Sequence, residues 1–253
     1  MKAFLLTAGL GTRLRPLTDK TPKCLLPVNG KPLLHIWLDL LAGHGVDQVL
    51  INTHWHHEKV EGFVKKIVNG FTQRRKDAKV RRKDEHRTSN GKTREAGPGR
   101  SSRITNQQIT NNFLEVRLFY EPELLGSGGT LLANRDWVAD GEPFFILYGD
   151  NLTNVDLGQM YDFHCRSPLP FSLGVFKTHE PERCGIAETD DSGVVVDFVE
   201  KPESPKSNLV GKMKAYFIEE FLMDIGTPES YEKAQIIWPQ IKCLTAESQR
   251  TQR

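Results

Sequence analysis

The most constraining feature of this chain is the order of its opening elements. An apolar strand and a glycine turn come first, then a helix, a second apolar strand and a second helix. Lys2–Ala8 reads as a buried strand ended by the turn Gly9–Gly11. From Leu33 to His44 apolar residues recur at helical spacing (Leu33, Leu34, Trp37, Leu38, Leu41), and the pattern stops near Gly43 and Gly45. Gln48–Asn52 is a second short strand, and Glu58 to Val68 places Val60, Phe63, Val64 and Ile67 on one helical face. Strands alternating with helices imply parallel neighbours joined by right-handed crossovers. The expectation is an α/β fold with a Rossmann-like, doubly wound, mostly parallel sheet.

Composition sets the limits of that fold. The chain has 253 residues, enough for one large domain, and it is read as a single domain spanning 1–253. The formal charge of +2 hides a segregation: residues 73–103 hold 12 Lys/Arg against 4 Asp/Glu, and the rest holds 22 against 28. Between Gln73 and Asn112 apolar periodicity fails, so 73–112 is expected to be a disordered basic insertion that buries too little surface to offset its ordering entropy. That stretch has no aromatic residues to stack on bases, so a nucleic-acid partner is not expected.

Cys24, Cys165, Cys184 and Cys243 are widely spaced, which argues against a disulfide scaffold or a zinc knuckle. The opening apolar stretch is too short for a signal peptide and no run reaches the ~20 residues of a membrane span, so a cytoplasmic protein is expected. Oligomeric state stays open, a homo-oligomer included.

Order resumes at Glu115–Tyr120, an alternating strand followed by a turn at Leu125-Gly-Ser-Gly-Gly-Thr130 and a helix from Thr130 to Trp137. Pro143–Tyr148 is wholly apolar, as expected in the middle of a sheet, and ends at Gly149-Asp150. Further strands are expected at Phe171–Phe176 and Val194–Val199. A helix opens at Pro228 behind the N-cap Thr227 and runs through Ala234.

The first loop carries the most chemistry. Gly9-Leu-Gly-Thr-Arg13 and Thr21-Pro-Lys23 join glycine backbone, which lets N–H groups approach a polyphosphate, to two cations. No Gly-Lys-Ser/Thr follows as in a Walker A loop, and Leu14 stands where the third glycine of a dinucleotide fingerprint belongs. The pattern fits chemistry on a phosphoanhydride. His54, His56 and His57 lack an acidic partner at zinc spacing and are not read as a metal site. Trp37 and Trp55 are read as packing residues.

Gly9-x-Gly11-Thr12-Arg13 with Pro22-Lys23 resembles the signature of the sugar-1-phosphate nucleotidyltransferases. Gly126-Ser-Gly-Gly129, Gly149-Asp150, Cys184-Gly185, Phe198-Val-Glu200-Lys201-Pro202 and Asp224-Ile-Gly-Thr227-Pro228 follow in the same order. Within the family the likeness is strongest to mannose-1-phosphate guanylyltransferases. The resemblance implies the nucleotide-diphospho-sugar transferase type of fold, with a nucleoside triphosphate and a sugar 1-phosphate as partners and Mg²⁺ as cofactor. It implies that Arg13 and Lys23 are catalytic cations on the triphosphate, and that Ala8, Gly9, Gly11, Thr12, Gly126 and Gly128 receive the nucleotide. Gly185, Glu200 and Lys201 would hold the sugar phosphate. Asp150 and Asp224 would hold the metal, two hard oxygen donors of the kind Mg²⁺ prefers.

The sequence departs from this pattern in the basic insertion and after Pro202. There the family's Asn-Ala-Gly strand is missing, an apparent internal deletion near 210–211. That gap keeps open the alternative of a non-catalytic regulatory or nucleotide-sugar-sensing homologue.

Overall fold

Strand β1 (Lys2–Leu6) shows why the opening reads as one apolar run. Phe4 and Leu6 point to one face and Ala3 and Leu5 to the other, and all four are buried. The structure, a computed structural model, describes residues 1–67, 106–110, 114–177, 185–200 and 213–251. It divides into two compact units, Met1–Asp150 and Asn151–Arg253.

In the first unit, β1 is followed by the small hairpin β2 (Pro27–Val28) and β3 (Lys31–Pro32), and then by helix α1 (Leu33–Gly43). The α1 stripe predicted from spacing is buried: Leu33, Leu34, Trp37, Leu38 and Leu41. The helix stops because Gly45 takes a left-handed φ of 76°, which turns the amides of Gly45 and Val46 back onto the carbonyls of Ala42 and Leu41. Strand β4 (Gln48–Thr53) and helix α2 (57–67) come next. They are followed by β5 (Asn106–Thr110), β6 (Glu115–Tyr120), α3 (Gly126–Ala133) and β7 (Phe144–Tyr148).

These strands form one sheet in the order β5-β6-β4-β1-β7. β6, β4, β1 and β7 run parallel in continuous register, with Leu5 between Ile51 and Leu147, while β5 is antiparallel to β6. Phe4, Leu6 and Leu50 form a core on one face, packed by Phe119, Leu131, Trp137 and Val138. The chain lays strands outward from β1 on one side and then returns to its other side with β7. The switch point of the sheet therefore lies between β1 and β7.

Three local expectations need correction. Residues 106–110, placed in the disordered insertion, are a strand. Hydrophobic periodicity misses an edge strand whose sequence, Asn-Gln-Gln-Ile-Thr, is polar and whose ordering comes from pairing with β6. The rest of the insertion and the 210–211 gap lie outside the described residues. The helix after the glycines begins at Gly126, four residues before Thr130. Finally, β7 borders the sheet among the described residues, and its apolar Phe144, Ile146 and Tyr148 are more than a third exposed.

The second unit holds β8 (Asn151–Thr153), α4 (Leu157–Arg166), β9 (Phe171–Val175), β10 (Gly185–Thr189), β11 (Val194–Glu200), β12 (Met213–Phe217), β13 (Leu222–Asp224) and α5 (Pro228–Thr251). A four-stranded sheet has the order β10-β11-β12-β9, and β13 pairs with β8. The Asp156 side chain caps α4 by accepting from the Gln159 amide at 2.9 Å. Thr227 caps α5 as its spacing predicts, with the Ser230 amide donating to its hydroxyl at 3.2 Å. That helix runs well past Ala234, through Pro239. No helix among the described residues is long and apolar enough to cross a membrane.

Candidate functional site

Because β1, β4, β6 and β7 are parallel, the segments that follow them all leave from one edge of the sheet. These are residues 7–23 after β1, 54–56 after β4, 121–130 after β6 and Gly149-Asp150 after β7. Ligands of parallel α/β sheets bind at this carboxyl edge, most often beside the switch point.

The loop after β1 is shaped from within. Gly11 has a left-handed φ of 64°, and a Cβ there would come within 2.9 Å of Thr18 Cγ2. The buried Thr18 donates its hydroxyl to the Gly11 carbonyl at 2.7 Å and accepts from Trp55 Nε1 at 3.0 Å through its own carbonyl. Trp55, read from sequence as packing, is thus a tether between the ends of β1 and β4. Gly9 and Thr12 are exposed, Ala8 is buried, and Arg13 projects from a short 3-10 turn, Thr12–Leu14, into solvent.

Lys23 lies in a second 3-10 turn, Lys23–Leu25. Its Nζ donates to Asp150 Oδ2 at 2.8 Å across a sequence separation of 127. The lysine side chain is 11% exposed and the aspartate 38%, so the pair sits at the protein surface with the cation held inward. Two residues assigned separate roles from sequence, one on phosphate and one on metal, are brought together at the switch point. The turn carrying Asp150 is fixed by the Gly149 amide, which donates to the Leu6 carbonyl at 2.9 Å. A Cβ at Gly149 would lie 2.4 Å from Thr7 Cγ2. Cys24, next to Lys23, is buried, and burial pushes its thiol up to about 12, so it is no nucleophile.

The glycines of the third segment form the first turn of α3. Glycines are poor helix formers, and beside this turn stands Glu121, just after β6. Its carboxyl group, 1% exposed, accepts from the Leu125 amide at 3.2 Å and the Thr130 hydroxyl at 2.5 Å. Gly126 and Gly128 are exposed on that turn, and a Cβ on Gly128 would meet nothing within 4 Å. Sequence reasoning misses Glu121, although an acidic residue between an apolar strand and a glycine run is a visible signal. The ring nitrogens of His54 and His56 face backbone carbonyls, those of Glu121 (2.7 Å) and Asp19 (3.0 Å). His57 stacks on Tyr120.

In the second unit, Gly185 of β10 is the register partner of Glu200 of β11, so two of the predicted sugar-phosphate residues are paired. Gly185 packs under Phe198, where a Cβ would come within 2.5 Å of Cζ. Asp224 stands opposite Asn151 in the β13–β8 ladder. Lys201 and Cys184 lie outside the described residues.

Comparison with known proteins agrees with this architecture. Over 210 residues the chain is 30% identical to the mannose-1-phosphate guanylyltransferase catalytic subunit beta of Drosophila melanogaster, covering 83% of this chain and 46% of that protein. It is 28% identical over 212 residues to the UTP–glucose-1-phosphate uridylyltransferase AglF of Haloferax volcanii, covering 83% and 69%. The chain thus spans about half the length of the guanylyltransferase it matches. Among solved structures, a UDP-glucose pyrophosphorylase from Acinetobacter baumanii shares the fold, with a TM-score of 0.65 at 19% identity over 97% of this chain and 98% of that one. The family model for nucleotidyl transferases matches residues 2–249. With so little of its length outside that match, the chain belongs to the nucleotidyl transferase family.

Proposed function

We propose that this chain transfers a nucleotidyl group from a nucleoside triphosphate to a sugar 1-phosphate, releasing pyrophosphate. The observation that carries the reading is the Lys23–Asp150 pair beside an exposed glycine loop at the switch point of a parallel sheet. A cation and a carboxylate at that position suit an anionic ligand accompanied by a divalent ion.

In the reaction a phosphate oxygen of the sugar phosphate attacks the α-phosphorus in line. A new P–O bond forms as the bond from the α-phosphorus to its bridging oxygen breaks, and the electron pair leaves with pyrophosphate. The nucleophile is already an anion, so no general base is needed, and positioning and charge neutralisation supply the rate. Arg13 and Lys23 neutralise the triphosphate, and Lys23 stabilises charge that develops on the leaving group. The open Gly9 and Gly128 leave room for the nucleotide, with Ala8, Gly11, Thr12 and Gly126 forming the same walls. Gly185, Glu200 and Lys201 hold the sugar phosphate. The donor chemistry fits Mg²⁺: Asp150 would hold the ion, which would draw charge from the phosphates when bound, and Asp224 is a second carboxylate of the kind that ion prefers.

Among substrates we favour GTP and mannose 1-phosphate, because the relatives include mannose-1-phosphate guanylyltransferases. The uridylyltransferase relative makes UTP and glucose 1-phosphate the competing pair. The test is pyrophosphate release measured across a panel of nucleoside triphosphates and sugar 1-phosphates with Mg²⁺. Release that is highest with GTP and mannose 1-phosphate is expected, and Lys201→Ala should raise KM for the sugar phosphate alone. Nucleotide binding without pyrophosphate release from any pair would move the chain to the sensing alternative.

A further inference from the structure

Among the described residues of the first unit buried polar side chains are few, and three of them, Asn52, Glu121 and Thr130, form one connected group. Glu121 is the most demanding member. It is 1% exposed and has no ion-pair partner among the described residues, so hydrogen bonds alone offset its desolvation. Its Oε1 accepts from Asn52 Nδ2 at 3.0 Å and from the Thr130 hydroxyl at 2.5 Å, and its Oε2 accepts from the Leu125 amide at 3.2 Å. The other half of the Asn52 amide faces the opposite way, with Oδ1 accepting from the Thr7 amide at 2.6 Å. The Thr7 hydroxyl donates to the Asn52 carbonyl, also at 2.6 Å.

Followed end to end, these bonds run from Thr7, where the chain leaves β1 for the Gly9–Gly11 loop, through Asn52 in β4 and Glu121 after β6. They finish at the first turn of α3. Thr7 also packs against Gly149, the residue before Asp150. No member of the group is a predicted ligand contact, yet each segment expected to touch the nucleotide begins on one of them. Each side-chain donor in the group has an acceptor within reach, and a satisfied buried network rigidifies the segments it joins.

We propose that Glu121 and Asn52 are positioning residues that set the loop after β1 and the glycine turn of α3 at the separation one nucleoside triphosphate requires. This rests on the functional reading above, and it assigns affinity for the nucleotide to residues that do not touch it.

The arrangement makes a reciprocal exchange possible. In Glu121→Gln the new amide group faces either Asn52 Nδ2 or the Leu125 amide, donor against donor, whichever way it turns. In the double variant Asn52→Asp/Glu121→Gln the polarity is reversed throughout. The new carboxylate at position 52 accepts from the Thr7 amide, the Thr130 hydroxyl and the new side-chain amide at position 121. The amide oxygen at position 121 then accepts from Leu125. The test uses the full chain and measures dissociation constants for GTP and UTP by calorimetry, KM for the sugar phosphate and thermal unfolding.

Glu121→Gln is expected to weaken nucleotide binding by roughly tenfold, the cost of one mismatched buried bond. It should leave KM for the sugar phosphate unchanged, and the double variant should recover most of the lost affinity. Thr7→Val, at the part-buried end of the group, gives a milder loss in the same direction if Glu121→Gln fails to fold. A lower melting temperature in Glu121→Gln with unaltered nucleotide affinity would overturn this proposal alone, as would a double variant no better than the single. Failure of the parent chain to bind any nucleotide would overturn the functional reading along with it.

Discussion

The chain has two glycine-rich segments at the same edge of the same sheet, and they are built in different ways. After β1, the segment 9–11 is a loop, bent by the left-handed Gly11 and tied down by Thr18 and Trp55. After β6, the segment 126–129 is the first turn of a helix, and its support is the buried Glu121. In each segment one glycine has no internal reason to be glycine: a Cβ on Gly9 or on Gly128 would meet nothing within 4 Å. Gly11, by contrast, is forced by the fold. Composition alone cannot separate these cases, since glycine required for backbone shape and glycine that leaves space look identical in a sequence.

Four experiments would break or sharpen that contrast. The largest effect is expected on the cation that belongs to the first segment alone. Lys23→Ala removes the partner of Asp150 and, on the functional proposal, a charge from the triphosphate, so turnover should fall on the order of 10²–10³-fold. A rate within a few fold of the parent, measured as pyrophosphate release, would separate this pair from the chemistry.

Next in size is Gly11→Ala, which puts a Cβ both into a left-handed residue and against Thr18. The expected cost is about 1–2 kcal/mol or more, read as a lower midpoint in urea unfolding. Gly128→Ala should act in the opposite direction. Alanine suits a helix better by up to ~1 kcal/mol and there is space for the methyl, so stability should rise slightly. On the functional proposal, nucleotide affinity falls in the same variant. A Gly128→Ala protein that is more stable and binds nucleotide as before would show that the open glycine leaves room for nothing.

The smallest effect concerns Cys24, beside the first segment. Its thiol stays protonated until about pH 12, so at pH 8 a maleimide should label exposed Cys165 and leave Cys24 unmodified until the chain unfolds. Peptide mapping by mass spectrometry reads this directly. The sign of the linkage follows from burial. The folded chain keeps a proton that the unfolded chain releases above the ordinary thiol value of 9.0, so this stabilising contribution is whole below pH 9 and is lost as pH rises toward 12.

How far the site can be read from sequence depends on how local its causes are. The positions of the segments after β1 and β7 are legible, since Gly9, Gly11, Lys23 and Asp150 all follow strands that the apolar pattern locates. Glu121 is not, since its role depends on Asn52, 69 residues earlier in the chain. The strand at 106–110 hides in a tract that reads as disordered. Its own residues carry no apolar period, and its order comes from the ladder to β6.

By itself the sequence determined what its own short-range physics can encode. That includes the apolar runs of β1, β4 and β7, the buried stripe of α1, the left-handed stop at Gly45 and the Thr227 cap of α5. These follow from periodicity, from backbone freedom and from side chains that reach a few residues along the chain. Tertiary structure alone decided which partners meet: Lys23 with Asp150, Gly185 opposite Glu200, β5 beside β6, and the buried Glu121 with Asn52. A buried polar group must be satisfied by whichever donor the fold brings within reach, and that choice belongs to the packed sheet rather than to any stretch of sequence.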